Sequence, residues 1–152
     1  MHSVRSRYVT AAVETVGPAR LLTMLYDRML LDVDRGIEAL QAGDRVTASG
    51  QLQHAQEIVA ELMVSLQPDG WEGGEQLMAV YRYLLTELIG AGAHGDLERA
   101  VTCRDLVLPL ADAWHTAADE LTRNAVAAST PELSAPAVTT DAAMGVRLLG
   151  VG

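Results

Sequence analysis

The sequence predicts an all-α fold: an antiparallel up-down four-helix bundle with a flexible N-terminal segment and a disordered C-terminal tail. Three observations predict it. Apolar residues recur at three- and four-residue steps in four separate runs, and no alternating strand pattern competes with them. The links between the runs are short and built from Gly, Pro and Asp. The apolar content is 49% of the chain, yet aromatics are only 4% and Phe is absent, a palette better suited to interlocking helices than to packed sheets. At 152 residues the chain is sized for one domain around one core.

Helix 1 is expected over about residues 18–42. Pro18 suits a first helical turn, where its missing N–H is no loss. Leu22, Tyr26, Met29, Val33, Ile37 and Leu40 then form a stripe that Leu21 and Leu25 widen, while Asp32, Asp34, Arg35 and Glu38 fall elsewhere. Gly43 closes this helix and Asp44 caps the next, so the neighbours should be antiparallel. Helix 2, about 44–67, carries Leu52, Ala55, Ile58, Val59, Leu62 and Leu66 and stops at Gln67-Pro68. "PDGWEGG" is a loop by composition. Helix 3, about 74–91, shows Leu77, Val80, Tyr81, Leu84, Leu85 and Leu88. Helix 4, about 96–124, opens on Asp96 as a cap and carries Leu97, Val101, Leu108, Leu110, Trp114 and Leu121. Pro109 lies inside it, where a proline costs about 3 kcal/mol, so a kink or short break is expected there. Beyond Asn124 the chain turns to Ala, Ser, Thr and Pro with little periodicity. The expected division is a bundle over 1–126 and a tail over 127–152, whose last residues, "GVRLLGVG", become apolar again.

Eleven basic against twenty acidic residues give a formal charge of −9, a field that repels phosphate backbones and anionic lipid. Nucleic acid and membrane surfaces are therefore excluded as expected partners. Cys103 is the single cysteine, so no intrachain disulfide and no thiol-based metal site is expected. The N-terminus lacks an apolar secretory core, and no run reaches the roughly 18 apolar residues of a membrane span. The expected location is the cytoplasm.

A four-helix bundle invites comparison with di-iron carboxylate proteins, which need inward acidic residues from all helices and two carboxylates three positions before His. Asp112 and His115 have that spacing once, His54 and Glu57 reverse it, and helices 1 and 3 supply no convincing inward carboxylate. His54 in "LQHAQEIV" is the candidate phosphotransfer histidine, but no Lys-Gly follows to steady a phosphoryl group; a solvated helix-face histidine is the simpler expectation. His2, His94 and His115 fall at the terminus, in a loop and near a helix end, and "WEGGEQ" lacks the Lys and strand of a P-loop. No Ser or Cys sits in a nucleophile's context. The expectation is a non-enzyme without catalytic residues, metal ligands or cofactor. A metal-binding or histidine-phosphotransfer bundle is the alternative.

"LLTMLYDRMLLDVDRGIEALQAGD" resembles the first-helix signature of the flagellin-specific secretion chaperone family FliS, with Leu-Tyr-Asp after a Met. Four further features follow the family's order: Tyr8 before helix 1, "LQHAQEIVAELMVSLQP" for its second helix, "LMAVYRYLLTELIGAGAHGD" with Tyr81 and Tyr83 for its third, and "LADAWHTA" for the end of its fourth. The resemblance covers roughly residues 8–118. Gly92 departs from the family's usual Asn, which bears on the cap between helices 3 and 4; Pro109 and the tail are further departures.

The resemblance implies a helical bundle that binds the disordered C-terminal segment of flagellin, prevents its premature polymerisation and presents it to a component of the flagellar type III export gate. It leaves open whether the free protein forms a homodimer. Helix 1 carries more apolar surface than one core seam needs, so part of it must face a guest. The expected flagellin-binding residues are Tyr8, Leu21, Met24, Leu25, Tyr26, Ile58, Leu62, Met63, Tyr81 and Leu85, with Met24 and Met63 as adaptable groove liners. The core reading competes at Leu62 and, more evenly, at Tyr26 and Tyr81, whose rings suit either a groove edge or the interior. Leu22, Met29, Val33, Leu62, Leu84, Leu88 and Trp114 are expected in the core, and Asp27 as a solvated or hydrogen-bonded neighbour of Tyr26. Tyr8 would cover a groove or dock on the export machinery. The C-terminal end would either fold back into the groove as an internal competitor or serve as a passive linker.

Overall fold

Gly43 adopts φ +76°, the left-handed conformation that ends a helix at little cost to glycine. Asp44 follows and caps the next helix, its Oδ1 accepting from the Thr47 backbone N–H at 3.1 Å. Gly95, at φ +61°, and Asp96, whose Oδ1 accepts from the Arg99 N–H at 3.2 Å, repeat the device. In the computed structural model these signals separate α1 (His2–Gln41) from α2 (Arg45–Ser65) and α3 (Gly74–His94) from α4 (Leu97–Ser129). A short 3-10 turn, Pro68–Gly70, lies between α2 and α3. The structure describes the backbone of residues 2–130 and the side chains of 17–67 and 69–130. The tail beyond them, and the Tyr8 side chain, lie outside what is described.

Each helix packs on two neighbours: α1 on α2 and α4, and α3 on α2 and α4. The cross-helix partners run in opposite directions. Along α1, Asp27 then Asp34 meet His115 then Arg104 of α4, and Asp32 then Gly36 meet His54 then Leu52 of α2. The expected all-α antiparallel bundle is what forms.

Two prolines sit inside helices. α1 runs back through Pro18 to His2, where a start at Pro18 was expected, and α4 passes Pro109 without a break. Pro109 removes the bond to the Asp105 carbonyl, and both residues are exposed, so water can take up that acceptor. The cap between α3 and α4 is Gly95; Gly92 lies inside α3.

The core joins Tyr26, Met29 and Val33 of α1 to Leu52, Val59 and Leu62 of α2 and to Tyr81, Leu84 and Leu88 of α3. The α4 contribution corrects the expected register. Leu97, Val101, Leu108 and Leu121 are exposed, and the inward face is Ala100, Cys103, Val107, Ala111 and Ala118. Small side chains at these positions let a helix approach its neighbours closely. Burial pushes the Cys103 thiol up to about 12, which leaves it an inert apolar filler at neutral pH.

Asp32 is the second correction. It was placed off the apolar stripe, yet its side chain is 0% exposed. Because α1 has two neighbours its buried arc is wide, and Leu25, Asp32, Gly36 and Ala39 make up the edge toward α2. The Asp32 carboxylate accepts through Oδ2 from His54 Nδ1, and Arg28 Nε stands 3.1 Å from Oδ1. Oδ1 accepts no hydrogen bond, so Arg28 offsets the charge without satisfying the atom. His54 is thus tied to α2's neighbour rather than simply solvated.

Gly36 faces Leu52 so closely that an added Cβ would stand 2.8 Å from Leu52 Cδ2 and 2.9 Å from Cγ. Leu52 is fully buried and has no room to swing away. Gly36→Ala should gain about 1 kcal/mol of helix propensity and lose about 1–3 kcal/mol to overpacking, a net destabilisation. Urea unfolding will show a lower midpoint, and the loss should shrink when Leu52 is shortened to Val.

Candidate functional site

At the end of the bundle where α2 gives way to α3, the helices do not close. An apolar groove of about 370 Å³ opens there. Pro18, Leu21, Leu22 and Leu25 of α1 form one wall, and Leu62, Ser65 and Leu66 of α2 the next. Trp71 overhangs it from the link before α3, Leu77 and Tyr81 of α3 lie at its base, and Trp114 of α4 completes it.

The base belongs to the core. Leu62, Leu77 and Tyr81 are buried, and beneath them the Tyr26 and Tyr81 hydroxyls meet at 2.5 Å, where either can donate. Tyr26 packs its ring against Trp114 at 6.4 Å between centroids and 40° between planes, within the range of favourable aromatic pairs. Burial pushes both tyrosines above their ordinary value, and for Tyr81 the hydrogen bond to Tyr26 adds to the effect. The walls, by contrast, are wet. Leu21 is 59% exposed and Trp71 49%, while Leu25, Leu66 and Trp114 are half-buried. Gly73 makes the Trp71 position possible, because a Cβ there would penetrate the indole ring.

Among the residues expected to meet flagellin, Leu21, Leu25, Leu62 and Tyr81 line this groove together. Tyr26 lies under its base and is fully buried, Ile58 is in the core, and Met63 and Leu85 are half-buried against the core away from the lining. Met24 is 64% exposed on α1 and does not line the groove. Trp71, Leu66, Leu77, Trp114, Pro18 and Leu22 line it without having been singled out for it. The Trp and Gly of the "WEGG" link were a usable signal, since a large apolar ring in a loop has to cover something.

Polar chemistry lies elsewhere. On the α1–α4 face Asp27 accepts from His115 Nε2 at 2.7 Å, and Asp34 from Arg104 Nε at 2.7 Å. Arg20 and Asp119 pair at 3.6 Å. These polar contacts are largely exposed and act as registration marks more than as sources of stability. Among the described residues no group of three or more His, Cys, Asp or Glu is placed to hold a metal ion, and no described helix is long and apolar enough to cross a membrane.

The family model described as "Flagellar protein FliS" matches residues 1–121. No curated protein matches the chain.

The tyrosine pair predicts an alkaline sensitivity. Its folded-state values lie above the ordinary 10.0, so its stabilisation is fully present below pH 10 and is lost as pH rises toward the folded-state values. Chemical denaturation as a function of pH will show that decline, and replacing both Tyr26 and Tyr81 by Phe should flatten it.

Proposed function

This chain belongs to the FliS family of flagellar proteins, and we propose that it is the cytoplasmic chaperone of a flagellin: it binds the disordered C-terminal segment, prevents premature polymerisation and delivers the guest to the type III export apparatus. The observation that carries this reading is the apolar groove at the bundle's end, lined by aliphatic and Trp side chains on a rigid base. A disordered segment that folds on binding needs such a surface, because it must bury apolar side chains to offset the entropy of ordering. Helix-forming guests lay an apolar face into a groove, and here the ring of Trp71 and the exposed flank of α1 would cover that face.

The acidic surface supports the same reading. A formal charge of −9 keeps a protein with exposed apolar walls soluble until the guest arrives. No reacting group is required: the chemistry is burial and release. The export-gate contact would involve a surface outside the groove, so that guest and gate can be held at once.

Calorimetric titration with the C-terminal segment of flagellin should give near one-to-one binding with a Kd of roughly micromolar or tighter and a negative heat-capacity change. Leu21→Asp and Trp71→Ala change exposed wall residues and should weaken binding about tenfold or more without altering the thermal unfolding. Absence of any heat or spectral change with that segment would refute the reading.

A further inference from the structure

We propose that the groove has a second occupant built into the chain: the C-terminal run Val146–Val151, which docks there when no guest is present. The proposal rests on the reading of the groove as a guest site only for its competitive consequence. The docking itself stands on position, reach, pattern and charge.

Trp114 lines the groove, and α4 runs on from it to Ser129. At a rise of 1.5 Å per residue, the tail therefore begins about 22 Å beyond the groove, at the same end of the bundle. Residues 131–145 can span up to about 50 Å when extended, more than enough to turn back over that distance. They are mostly Ala, Ser, Thr and Pro, whereas Val146, Leu148, Leu149 and Val151 crowd four branched aliphatic residues into the last seven. That shift from spacer to apolar end is what an intramolecular ligand needs. Arg147 sits between the aliphatics and is the sole Lys or Arg after Arg123. Close in sequence to Trp71, which lines the groove, Asp69, Glu72 and Glu75 are exposed carboxylates. An apolar end bearing one cation matches an apolar groove whose Trp71 is flanked in sequence by carboxylates.

A run this short binds weakly as a separate peptide. Tethered, it faces the groove at an effective concentration on the order of millimolar, enough to hold a weak ligand in place. It must leave before a guest can enter, so it lowers the guest's apparent affinity by the fraction of grooves it fills.

The two Trp residues of the chain both line the groove, so intrinsic fluorescence reads its occupancy directly. In the full chain, Leu148→Asp together with Leu149→Asp should shift Trp emission to the red. A peptide of residues 145–152 added to that variant should reverse the shift saturably, and the flagellin segment should bind the variant about two- to tenfold more tightly than the unaltered chain. Identical spectra for the two proteins with no response to the peptide would overturn the proposal. Wild-type emission that changes on dilution would overturn it as well, because it would assign the occupant to a second copy. Failure of flagellin to bind either protein, with the spectral shift intact, would refute the chaperone reading and leave the docking standing.

Discussion

The hydrogen bond between Tyr26 and Tyr81 is the constraint on which both core and groove depend. α1 and α3 stand on a diagonal of the bundle and do not pack backbone to backbone, so the two rings span the centre and meet through their hydroxyls. One hydroxyl donates and the other accepts, in a place where both side chains are buried. Removing one would strand its partner at about 1–3 kcal/mol. The pair also fixes the base of the groove, since Tyr81 lines it and Tyr26 supports Trp114. A floor of packed core side chains resists collapse of the groove.

The bundle is packed unevenly along its length, and the unevenness is useful. Away from the groove, Gly36 admits Leu52, and Ala100, Cys103 and Val107 bring α4 close. At the groove end the chain places Leu and Trp where there is no opposing helix to receive them. Buried Asp32 belongs to the closely packed region. Arg28 compensates the charge and His54 donates to Oδ2, but Oδ1 is left without a hydrogen bond, so the cluster specifies how α1 and α2 register more than it stabilises them.

Much of the fold was legible in the sequence. Gly43-Asp44 and Gly95-Asp96 are boundary signals with a single physical meaning, and the stripes of the first three helices are large aliphatics at helical spacing. α4 was misread in part: Leu110 and Trp114 pack against the core as expected, but Leu97, Val101, Leu108 and Leu121 face out while Ala100, Cys103, Ala111 and Ala118 face in, and hydrophobicity alone cannot tell a close helix contact from an exposed face. Asp32 was misread for a related reason, as a helix with two neighbours buries an arc wide enough to include a charged residue if partners wait on the next helix. Pro18 reads as a helix start and Pro109 as a kink or short break, yet both lie inside helices, and at Pro109 the freed carbonyl is exposed to water. For the groove, the excess apolar surface of α1 was visible in Leu21 and Leu25, whereas the parts supplied by Trp71, Leu66 and Trp114 converge only after folding.

The central claim is that one groove, floored by the tyrosine pair, receives the guest. The most direct measurement is heteronuclear NMR of the labelled full chain titrated with the flagellin C-terminal segment, following the indole N–H signals of Trp71 and Trp114. The account predicts that both signals move together and saturate at one equivalent, with backbone shifts strongest at Leu21–Leu25 and Leu62–Leu66. Saturable binding that leaves both indole signals in place would put the guest on another face and contradict the account.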